Sequence, residues 1–276
     1  MLMSDRSKVE KRAEKMMRAY EEESLMLEKR SEEFEVIEEV FDRPTLEAIY
    51  KLMQKKVIDK IYGVVKSGKE ARIYHGRGFN GEELALKIYL TTTSEFRKGM
   101  FKYIDGDPRF KKVKKDVRGK NNIIYAWTKK EFSNLSLARD AGVRVPNPIA
   151  FYRNVLVMSF IGGGGVPAPL LKEVELLNPG GFYQSLLDNV RLLYSKAGLV
   201  HGDLSEYNIM VLDDSPVIFD VSQAVLKSHP LSDELLLRDV ERINFYFDRL
   251  GVDTYRVEDI ERWVKGGAKV LHKNPS

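Results

Sequence analysis

Hydrophobic and polar positions repeat with two different periods along the chain, and each period predicts different elements. Residues 5–39 mix charges with apolar positions and predict one or two surface helices. Residues 44–56 begin with Pro-Thr and carry apolar side chains at helical spacing, so they predict a further helix. From residue 61 the spacing becomes strand-like through "IYGVV", "RIYHGRG" and "ELALKIYL". Turns at "KSGKEA" and "NG" make these segments a predicted three-stranded antiparallel meander.

The second half of the chain changes from strand-like to helical spacing. A strand-like "IIYAW" precedes a helix predicted over 128–141, which Gly142 ends as glycine commonly does. Another strand pair follows in "VPNPIAFYRNVLVMSFIG" and ends in the run Gly162–Gly165, interpreted as a hinge. Further helices are predicted over 181–197, 232–250 and 256–265. The pattern predicts an α+β chain with a small β-rich lobe and a mostly helical lobe, and clefts between such lobes commonly bind ligands.

Composition excludes several kinds of site. The chain of 276 residues is 43% hydrophobic and 31% charged, and it lacks an apolar run long enough to span a membrane. Because the N-terminal segment is charged where a signal peptide would be apolar, a cytoplasmic location is expected. The absence of cysteine excludes thiolate catalysis, disulfides and cysteine-bound metals, and four scattered histidines do not favour a histidine metal cluster.

The basic residues are concentrated in one segment. Between Arg97 and Lys120 there are ten lysines and arginines but only three aspartates, although the net charge of the whole chain is +4. The surrounding residues 91–120, with glycines, Asp-Pro and many charges, are interpreted as a flexible insertion. A solvated loop and a contact with a polyanion both fit this excess of positive charge.

A lysine and a glutamate are predicted to pair between the first strands and the next helix. Lys87 lies in "LALKIY", a strand that is otherwise apolar, so its ammonium is expected to be partly buried and to need a carboxylate. Glu131, in the first turn of the predicted 128–141 helix, is the best-placed partner. The helix dipole alone also favours a glutamate at that position, so the pattern does not decide between the two interpretations.

The turn "KSGKEA" is a candidate phosphate-binding element. Ser67, Gly68 and Lys69 can present backbone N–H groups to a phosphate. The turn has one glycine rather than G-x-G-x-x-G, and no helix follows the Gly-Lys as a Walker motif requires. Taken alone, it is equally typical of an ordinary hairpin.

Three polar residues follow in "LVHGDLSEYNIMVLDDSPVIFDVSQAV". Asp203 and Asn208 form D-x-x-x-x-N, and Asp220 ends the strand "PVIFD". Phosphoryl transfer needs an acceptor for the proton of the attacking hydroxyl and oxygen ligands for Mg²⁺, and these side chains supply both. Each alone is more often a turn residue, but together with Lys87 and Glu131 they predict a phosphoryl-transfer site.

These motifs resemble the RIO family of atypical serine/threonine protein kinases, in its archaeal-type Rio-one branch with a short C-terminus. The resemblance runs from Phe41 to Arg249 and is carried by "VVKSGKEARIYHG", "LALKIY", "VLVMSFIG", "LVHGDLSEYNIM" and "IFDVSQAV". Ordinary protein kinases carry H-R-D with a lysine two residues after the aspartate, then D-F-G and A-P-E. This chain instead has "HGD" with Ser205, then "DVS", and no A-P-E after it. The resemblance implies a bilobal protein-kinase-like fold that lacks the activation segment and the peptide-docking subdomain.

The resemblance also implies a domain division and a nucleotide site. Residues 1–58 become N-terminal helices that pack on the kinase domain, 59–161 its N-lobe with the basic insertion 91–120, and 162–276 its C-lobe. Lys87 becomes the phosphate-binding lysine and Glu131 its partner. The turn that covers the phosphates consists of Ser67, Gly68, Lys69 and Glu70. Met158 becomes the gatekeeper of the adenine pocket, with backbone groups of Ser159 and Ile161 at the hinge, where an acidic residue would be usual instead of the serine.

For the reaction, the resemblance makes Asp203 the catalytic base and Asn208 and Asp220 the metal ligands. It implies ATP as the nucleotide and Mg²⁺ as the metal, with Mn²⁺ able to substitute. It also suggests that Asp220 becomes transiently phosphorylated during ATP hydrolysis; metal binding alone is the competing interpretation.

The implied partner is the precursor of the small ribosomal subunit, whose RNA would contact segment 97–120. Whether the chain phosphorylates a protein, hydrolyses ATP as an assembly switch, or does both is left open by the sequence. A small-molecule phosphotransferase of the aminoglycoside-kinase type also uses H-G-D, but "SGKEA" and "DVSQ" argue against it.

Overall fold

The computed structural model describes residues 41–90, 94–110, 122–267 and 271–274. The chain divides into two compact units, Met1–Glu47 and Ala48–Ser276, and the site described below belongs entirely to the second. The helices predicted within 5–39 lie outside the described residues. None of the helices in the described residues is long and apolar enough to cross a membrane.

The described residues contain six α-helices and two short 3-10 helices. The α-helices are α1 (Arg43–Gln54), α2 (Ser94–Ile104), α3 (Asn122–Asp140), α4 (Pro179–Ser195), α5 (Ser232–Arg249) and α6 (Val257–Val264), and short 3-10 helices cover Pro108–Phe110 and Leu171–Glu173. Local signals set several of these ends. The Asn178 side chain caps α4 by accepting from the N–H of Gly181, with proline at the first position of the helix. Gly142 follows α3 with φ of 82°, the left-handed conformation that ends helices.

A five-stranded antiparallel sheet forms the β-rich part. Its strands are β1 (Lys60–Ser67), β2 (Ala71–Arg77), β3 (Glu83–Tyr89), β4 (Pro148–Tyr152) and β5 (Val155–Ser159). They lie in the order β1-β2-β3-β5-β4, so the predicted three-stranded meander is confirmed and β3 is central. In β3 every residue after Glu83 is buried, which places Lys87 in an apolar environment.

Three short antiparallel strand pairs lie outside this sheet in the described residues. They pair β6 (Gly162–Gly163) with β7 (Val166–Pro167), β8 (Leu199–Val200) with β11 (Val225–Leu226), and β9 (Ile209–Leu212) with β10 (Ser215–Ile218). The run Gly162–Gly165 therefore forms the tight β6–β7 hairpin. At Gly162 φ is 144°, and a Cβ would lie 2.1 Å from the backbone oxygen of Val166, so only glycine fits there.

The strand predicted at "IIYAW" is wrong, because these residues form the first turns of α3. The apolar side chains of Ile123, Ile124 and Trp127 pack in a small hydrophobic cluster with residues of α2, including Met100 and Ile104. The middle of α3 buries the polar side chains of Lys130, Glu131 and Asn134, and apolar burial resumes at Leu135 and Ala138. The helical hydrophobic period therefore breaks within the helix, and the apolar run looks like a strand when read alone.

The insertion predicted over 91–120 contains helical structure in its described part. Residues 94–104 form α2 and residues 108–110 a 3-10 turn, with Met100, Ile104 and Phe110 buried. Residues 91–93 and 111–121 lie outside the described ranges. A larger hydrophobic core surrounds α4 and α5 and includes Leu186 and Phe247.

Candidate active site

A cavity of about 580 Å³ lies between the sheet and the segment around β9 and β10. Its walls come from β1–β3 and their first turn, α3, the residues after β5, and the residues after β10. The residues that line it include Gly68, Lys69, Glu70, Lys87, Tyr89, Glu131, Met158, Ser159, Ile161, Asp220 and Ser222. The predicted site residues Ser67, Asp203 and Asn208 are not part of this lining.

Lys87 is the charged centre of the cavity. It is 6% exposed, and its sheet neighbours are Ile73 and Leu156. Its Nζ donates to Glu131 Oε1 at 2.8 Å and to Asp220 Oδ1 at 2.7 Å. Burial alone would favour the neutral amine, but the two carboxylates outweigh it and raise the pKa of Lys87. The lysine is therefore an ammonium that bridges α3 to the segment after β10.

Glu131 is fully enclosed, and a second donor reaches it from β3. The Tyr89 hydroxyl donates to Glu131 Oε2, while Lys87 holds Oε1. Burial raises the pKa of Glu131 against the lowering effect of Lys87, and burial followed by the Glu131 charge raises the pKa of Tyr89. Tyr89 was not predicted as a site residue. The signal was available, because residues 87 and 89 of one strand point to the same face.

Asp220 lies two residues after β10 in a left-handed conformation, with φ of 56°. Its Oδ1 accepts from Lys87 and, at 2.8 Å, from the Ser222 hydroxyl. Burial opposes ionisation, but the Lys87 ammonium and these hydrogen bonds lower the pKa of Asp220 to about 2. Its Oδ2 accepts no hydrogen bond from the described residues, so one carboxylate oxygen is available to a ligand.

Asp203 and Asn208 share a loop beside the cavity. Asn208 Nδ2 donates to the Asp203 backbone oxygen at 2.8 Å and lies 3.3 Å from Asp203 Oδ2. The Phe219 N–H donates to the backbone oxygen of Asn208 at 3.1 Å, which continues the β9–β10 ladder by one step. The ladder therefore brings Asn208 close to Asp220 although twelve positions separate them in the chain.

Comparison with known proteins identifies the family to which these motifs belong. The family model described as the RIO domain matches residues 72–260. The chain belongs to the RIO family. It is 44% identical to the RIO-type serine/threonine-protein kinase Rio1 of Haloferax volcanii over 225 residues, which are 82% of this chain and 76% of the relative. It is 40% identical to the protein of the same name from Methanocaldococcus jannaschii over 258 residues, 93% of this chain and 87% of that one. The predicted archaeal-type Rio1 resemblance and the class of RIO-type serine/threonine kinase are therefore confirmed.

Solved structures confirm the predicted kinase-like α+β fold. A structure described as the Rio2 kinase-ADP/Mg²⁺-phosphoaspartate complex from Chaetomium thermophilum has a TM-score of 0.62 at 22% identity, covering 83% of this chain and 68% of that one. A second structure of the Rio2 kinase from the same organism has a TM-score of 0.61 at 24% identity and covers 79% and 67%. At these identities the likeness establishes the fold.

The turn of this RIO domain that was predicted to cover the phosphates is only partly at the cavity. Gly68, Lys69 and Glu70 line it, whereas Ser67 ends β1 in a pair with Arg72. The turn is closed by the Gly68 N–H, which donates to the Ala71 oxygen at 3.0 Å. Burial, and after it the charge of Asp220, raises the pKa of Glu70.

The predicted hinge residues all reach the cavity, but part of their backbone is already used. The Ser159 N–H donates to the Asn147 oxygen, and the Ile161 oxygen accepts from the Ala168 N–H, both at 2.9 Å. The Ser159 hydroxyl accepts from the Asn147 N–H at 2.8 Å. Within the described residues the Ile161 N–H makes no hydrogen bond, so it is the hinge donor that a base could use.

The RIO segment after Asp220 is held by two buried side chains of α3 that sequence reasoning missed. Lys130 Nζ donates to the oxygens of Ser222, at 2.9 Å, and Ala224. Asn134 Nδ2 donates to the oxygens of Val221 and Ala224, both at 2.9 Å. Helix α3 therefore supplies the Lys87 partner and also fixes the backbone beside the metal-ligand candidate.

Helix α5 fixes the loop that carries Asp203. The buried Asp239 accepts from the N–H groups of Gly202, at 2.7 Å, and Leu204, at 2.9 Å. Burial raises the pKa of Asp239 against the lowering effect of these bonds and of nearby cations. Arg238 of the same helix donates to the Gly202 oxygen. These residues lie more than thirty positions after the motif, and nothing in their spacing identified them.

Proposed function

We propose that this RIO-type kinase transfers the γ-phosphoryl group of ATP, with Mg²⁺, to serine or threonine hydroxyls and to water. The observation that carries the proposal is the Lys87 ammonium at the centre of the cavity, held at 2.8 Å by Glu131 and at 2.7 Å by Asp220. A fixed cation next to an ionised carboxylate is the arrangement that binds and orients phosphates for transfer.

The two ends of the cavity suit the two ends of ATP. Met158, with apolar neighbours such as Ile73, Ala85 and Met210, lines the part next to the hinge, where an adenine would be enclosed. At the other end Lys87 and the backbone of the turn at Gly68 and Lys69 supply positive groups for phosphates. A nucleotide in this orientation places its γ-phosphate toward Asp220.

The oxygens available near Asp220 fit a magnesium ion. Asn208 uses its Nδ2 within the loop, which leaves Oδ1, and Asp220 uses Oδ1, which leaves Oδ2. Mg²⁺ prefers oxygen ligands and is usually held by one or two protein groups together with substrate phosphates. When bound, the ion would neutralise charge on the phosphates, and Mn²⁺ would meet the same ligands.

Asp203 would act as the general base of the transfer. The hydroxyl proton of the acceptor passes to an Asp203 carboxylate oxygen while the hydroxyl oxygen forms a bond to the γ-phosphorus. The bond between that phosphorus and the bridging oxygen of the β-phosphate breaks, and its electron pair leaves with ADP. Lys87 holds the phosphates in place throughout this step.

The experiment that tests this function measures transfer from γ-labelled ATP to a generic protein acceptor, and phosphate release, with Mg²⁺, with Mn²⁺ and with neither. Asp203→Asn is the informative variant because the side chain is 37% exposed and the loop backbone is anchored by α5. We expect it to fold and bind nucleotide but to lose roughly 100-fold or more of the transfer rate. Full activity in Asp203→Asn contradicts the assigned base.

For hydrolysis, we propose that Asp220 attacks first. In this step Oδ2 acts as a nucleophile instead of as a metal ligand: it forms a bond to the γ-phosphorus as ADP leaves, and water then cleaves the acyl phosphate to release phosphate and restore the carboxylate. Two observations support this: the ionised Asp220, and the short segment 221–231 before α5, which leaves little room for a peptide platform. The related Rio2 structure is itself described as a phosphoaspartate complex.

Hydroxylamine separates this route from metal binding alone. Acyl phosphates are cleaved by hydroxylamine whereas phosphoserine is not, so label trapped during turnover should divide into two pools. If all enzyme-bound label resists hydroxylamine, Asp220 serves only as a ligand. Asp220→Asn should abolish the labile pool and is compared with Asp214→Asn, an exposed aspartate in the β9–β10 turn.

We further propose that the enzyme acts on the small ribosomal subunit precursor and contacts its RNA through segment 97–120. The excess of seven positive charges there supports this, since ten basic residues stand against three acidic ones. Arg109 already donates hydrogen bonds to Asp107 and Asn134, so the other basic residues of the segment would contact the RNA.

The RNA contact is tested by its salt dependence. Lys114→Gln with Lys115→Gln should weaken binding to precursor particles and reduce the slope against salt concentration by about one unit per lost phosphate contact. Lys51→Gln with Lys55→Gln, which removes two exposed charges in and after α1, is the matched control. Equal binding and equal slopes in both double variants would leave the segment as a solvated insertion.

A further inference from the structure

Among the residues that the structure describes, the Asp203 carboxylate has one strong partner, and that partner comes from α5. Arg242 Nη1 donates to Asp203 Oδ1 at 2.8 Å. Within the described part of the chain the other oxygen, Oδ2, has only long contacts, 3.3 Å to the Asn208 amide and 3.4 Å to the Gln223 amide. A charge-assisted bond at 2.8 Å is stronger than amide contacts near the distance limit. The orientation of the carboxylate is therefore set mainly by Arg242.

Arg242 acts on the side chain of Asp203 and not on the loop that carries it. One turn earlier on α5, Arg238 and Asp239 already bind the backbone of Gly202, and Asp239 that of Leu204. The loop conformation is therefore maintained without Arg242. Removing Arg242 frees the rotation of the carboxylate and leaves its position in the chain unchanged.

The ion pair is too exposed to be explained by stability. The side chains are 42% exposed at Arg242 and 37% at Asp203. Exposed pairs of this kind contribute little to folding, because water and salt screen them. A fixed carboxylate does matter for a base, since proton transfer needs one oxygen within hydrogen-bond reach of the acceptor hydroxyl.

We propose that Arg242 is a positioning residue for phosphoryl transfer, which holds Asp203 Oδ1 so that Oδ2 receives the proton of the acceptor. This inference rests on the proposed function of Asp203 as the base. In the step, the acceptor hydroxyl gives its proton to Oδ2 while the acceptor oxygen forms a bond to the γ-phosphorus. ADP leaves with the electron pair of the bond that breaks. Arg242 stays bound to Oδ1 and touches neither reacting atom.

The test compares Arg242→Ala with Arg249→Ala, which removes an exposed arginine from the last turn of the same helix. We expect Arg242→Ala to lower kcat for transfer to the protein acceptor roughly 10- to 100-fold, part of what a general base contributes. KM for ATP should stay within about twofold, because Arg242 does not line the nucleotide cavity. Arg249→Ala should match the wild type in kcat, KM and Tm.

Rescue separates positioning from structure. Arg242→Lys should recover part of kcat, and millimolar guanidinium should raise kcat of Arg242→Ala several-fold without raising that of the wild type or of Arg249→Ala, since the site is open to solvent. A kcat for Arg242→Ala within twofold of the wild type overturns the inference. So does a loss that neither lysine nor guanidinium reverses, or one that accompanies a lower Tm.

The two proposals fail in different ways. A wild-type chain without ATP-dependent transfer contradicts the proposed function and, with it, this inference. An active wild type with an equally active Arg242→Ala variant contradicts only the role of Arg242.

Discussion

Lys130 is fully buried, and its Nζ donates to the backbone oxygens of Ser222 and Ala224. Burial, and after it the nearby charge of Arg109, lowers the pKa of Lys130 to about 7 from its ordinary 10.5. The unfolded chain keeps the ordinary pKa. Between these two values the unfolded state therefore binds more protons than the folded state, and stability must rise with pH.

The size of this effect follows from the shift. One pKa unit corresponds to about 1.4 kcal/mol, so Lys130 should add about 2 kcal/mol to the free energy of unfolding between about pH 7.5 and pH 9.5. The destabilisation is complete below the folded pKa and disappears as the pH approaches the unfolded one. Lys130→Met removes this titration. It also leaves the Ser222 oxygen without its donor, at a cost of roughly 1–3 kcal/mol that does not depend on pH.

Urea unfolding followed by tryptophan fluorescence measures this difference, because Trp127 lies against Lys130 with its ring centre 5.2 Å from Nζ. Relative to Lys130→Met, the wild type should gain about 2 kcal/mol over the stated pH range. Lys129→Met is the matched control, since Lys129 is the exposed neighbour in the same helix. It should keep the pH slope of the wild type.

A stability difference between wild type and Lys130→Met that stays constant from pH 7.5 to pH 9.5 would refute this reasoning. It would mean that the carbonyl oxygens bind Lys130 well enough to keep it an ammonium at every pH tested. A slope that Lys129→Met removes equally would refute it as well, because the titrating group would then lie elsewhere.

Three other substitutions test the anchors of the site. Gly162→Ala should lower Tm by several degrees and weaken ATP binding, because the new Cβ would lie 2.1 Å from a backbone oxygen. The control Gly163→Ala should change neither value, because a Cβ there has nothing within 4 Å. Equal effects of the two variants would contradict the hairpin geometry. Asp239→Asn should lower the free energy of unfolding in urea by about 2–4 kcal/mol and reduce kcat more than KM, because an amide cannot accept from both loop N–H groups. An unchanged kcat would contradict the role of Asp239 in holding the loop. Glu131→Gln should lower the free energy of unfolding by roughly 3 kcal/mol and raise KM for ATP, because it leaves Lys87 with one carboxylate. If stability and KM are both unchanged, the buried pair is not needed.

The sequence predicted those parts of the site that have a local reason. Lys87 in an apolar strand needs a counter-charge, and the structure places it against Glu131 at 2.8 Å. Burial of a lysine does not say how many carboxylates surround it, so the additional bond to Asp220 could not be predicted. Arg242 is separated from Asp203 by thirty-nine positions and by β9–β11, and no spacing rule connects a loop aspartate to one arginine of a distant helix.

The strand predicted at "IIYAW" was wrong because long-range contacts, and not local spacing, determine which side chains α3 buries. Helix prediction relies on an apolar stripe that repeats every three or four residues. In α3 that stripe is apolar at Ile123 and Trp127 and then continues as Lys130, Glu131 and Asn134, all buried. These polar side chains interrupt the apolar stripe, which resumes at Leu135 and Ala138, so the first apolar residues resemble a separate strand.

This polar inner face also limits how α3 can move. Apolar surfaces slide past one another in small steps, because neighbouring packing arrangements have similar energies. Lys130, Glu131 and Asn134 instead bind particular oxygens and one particular ammonium, and a shift of one residue would leave all of these groups buried without partners. Lys87 and the backbone beside Asp220 are therefore held by one helix, and any displacement of α3 would disturb both together.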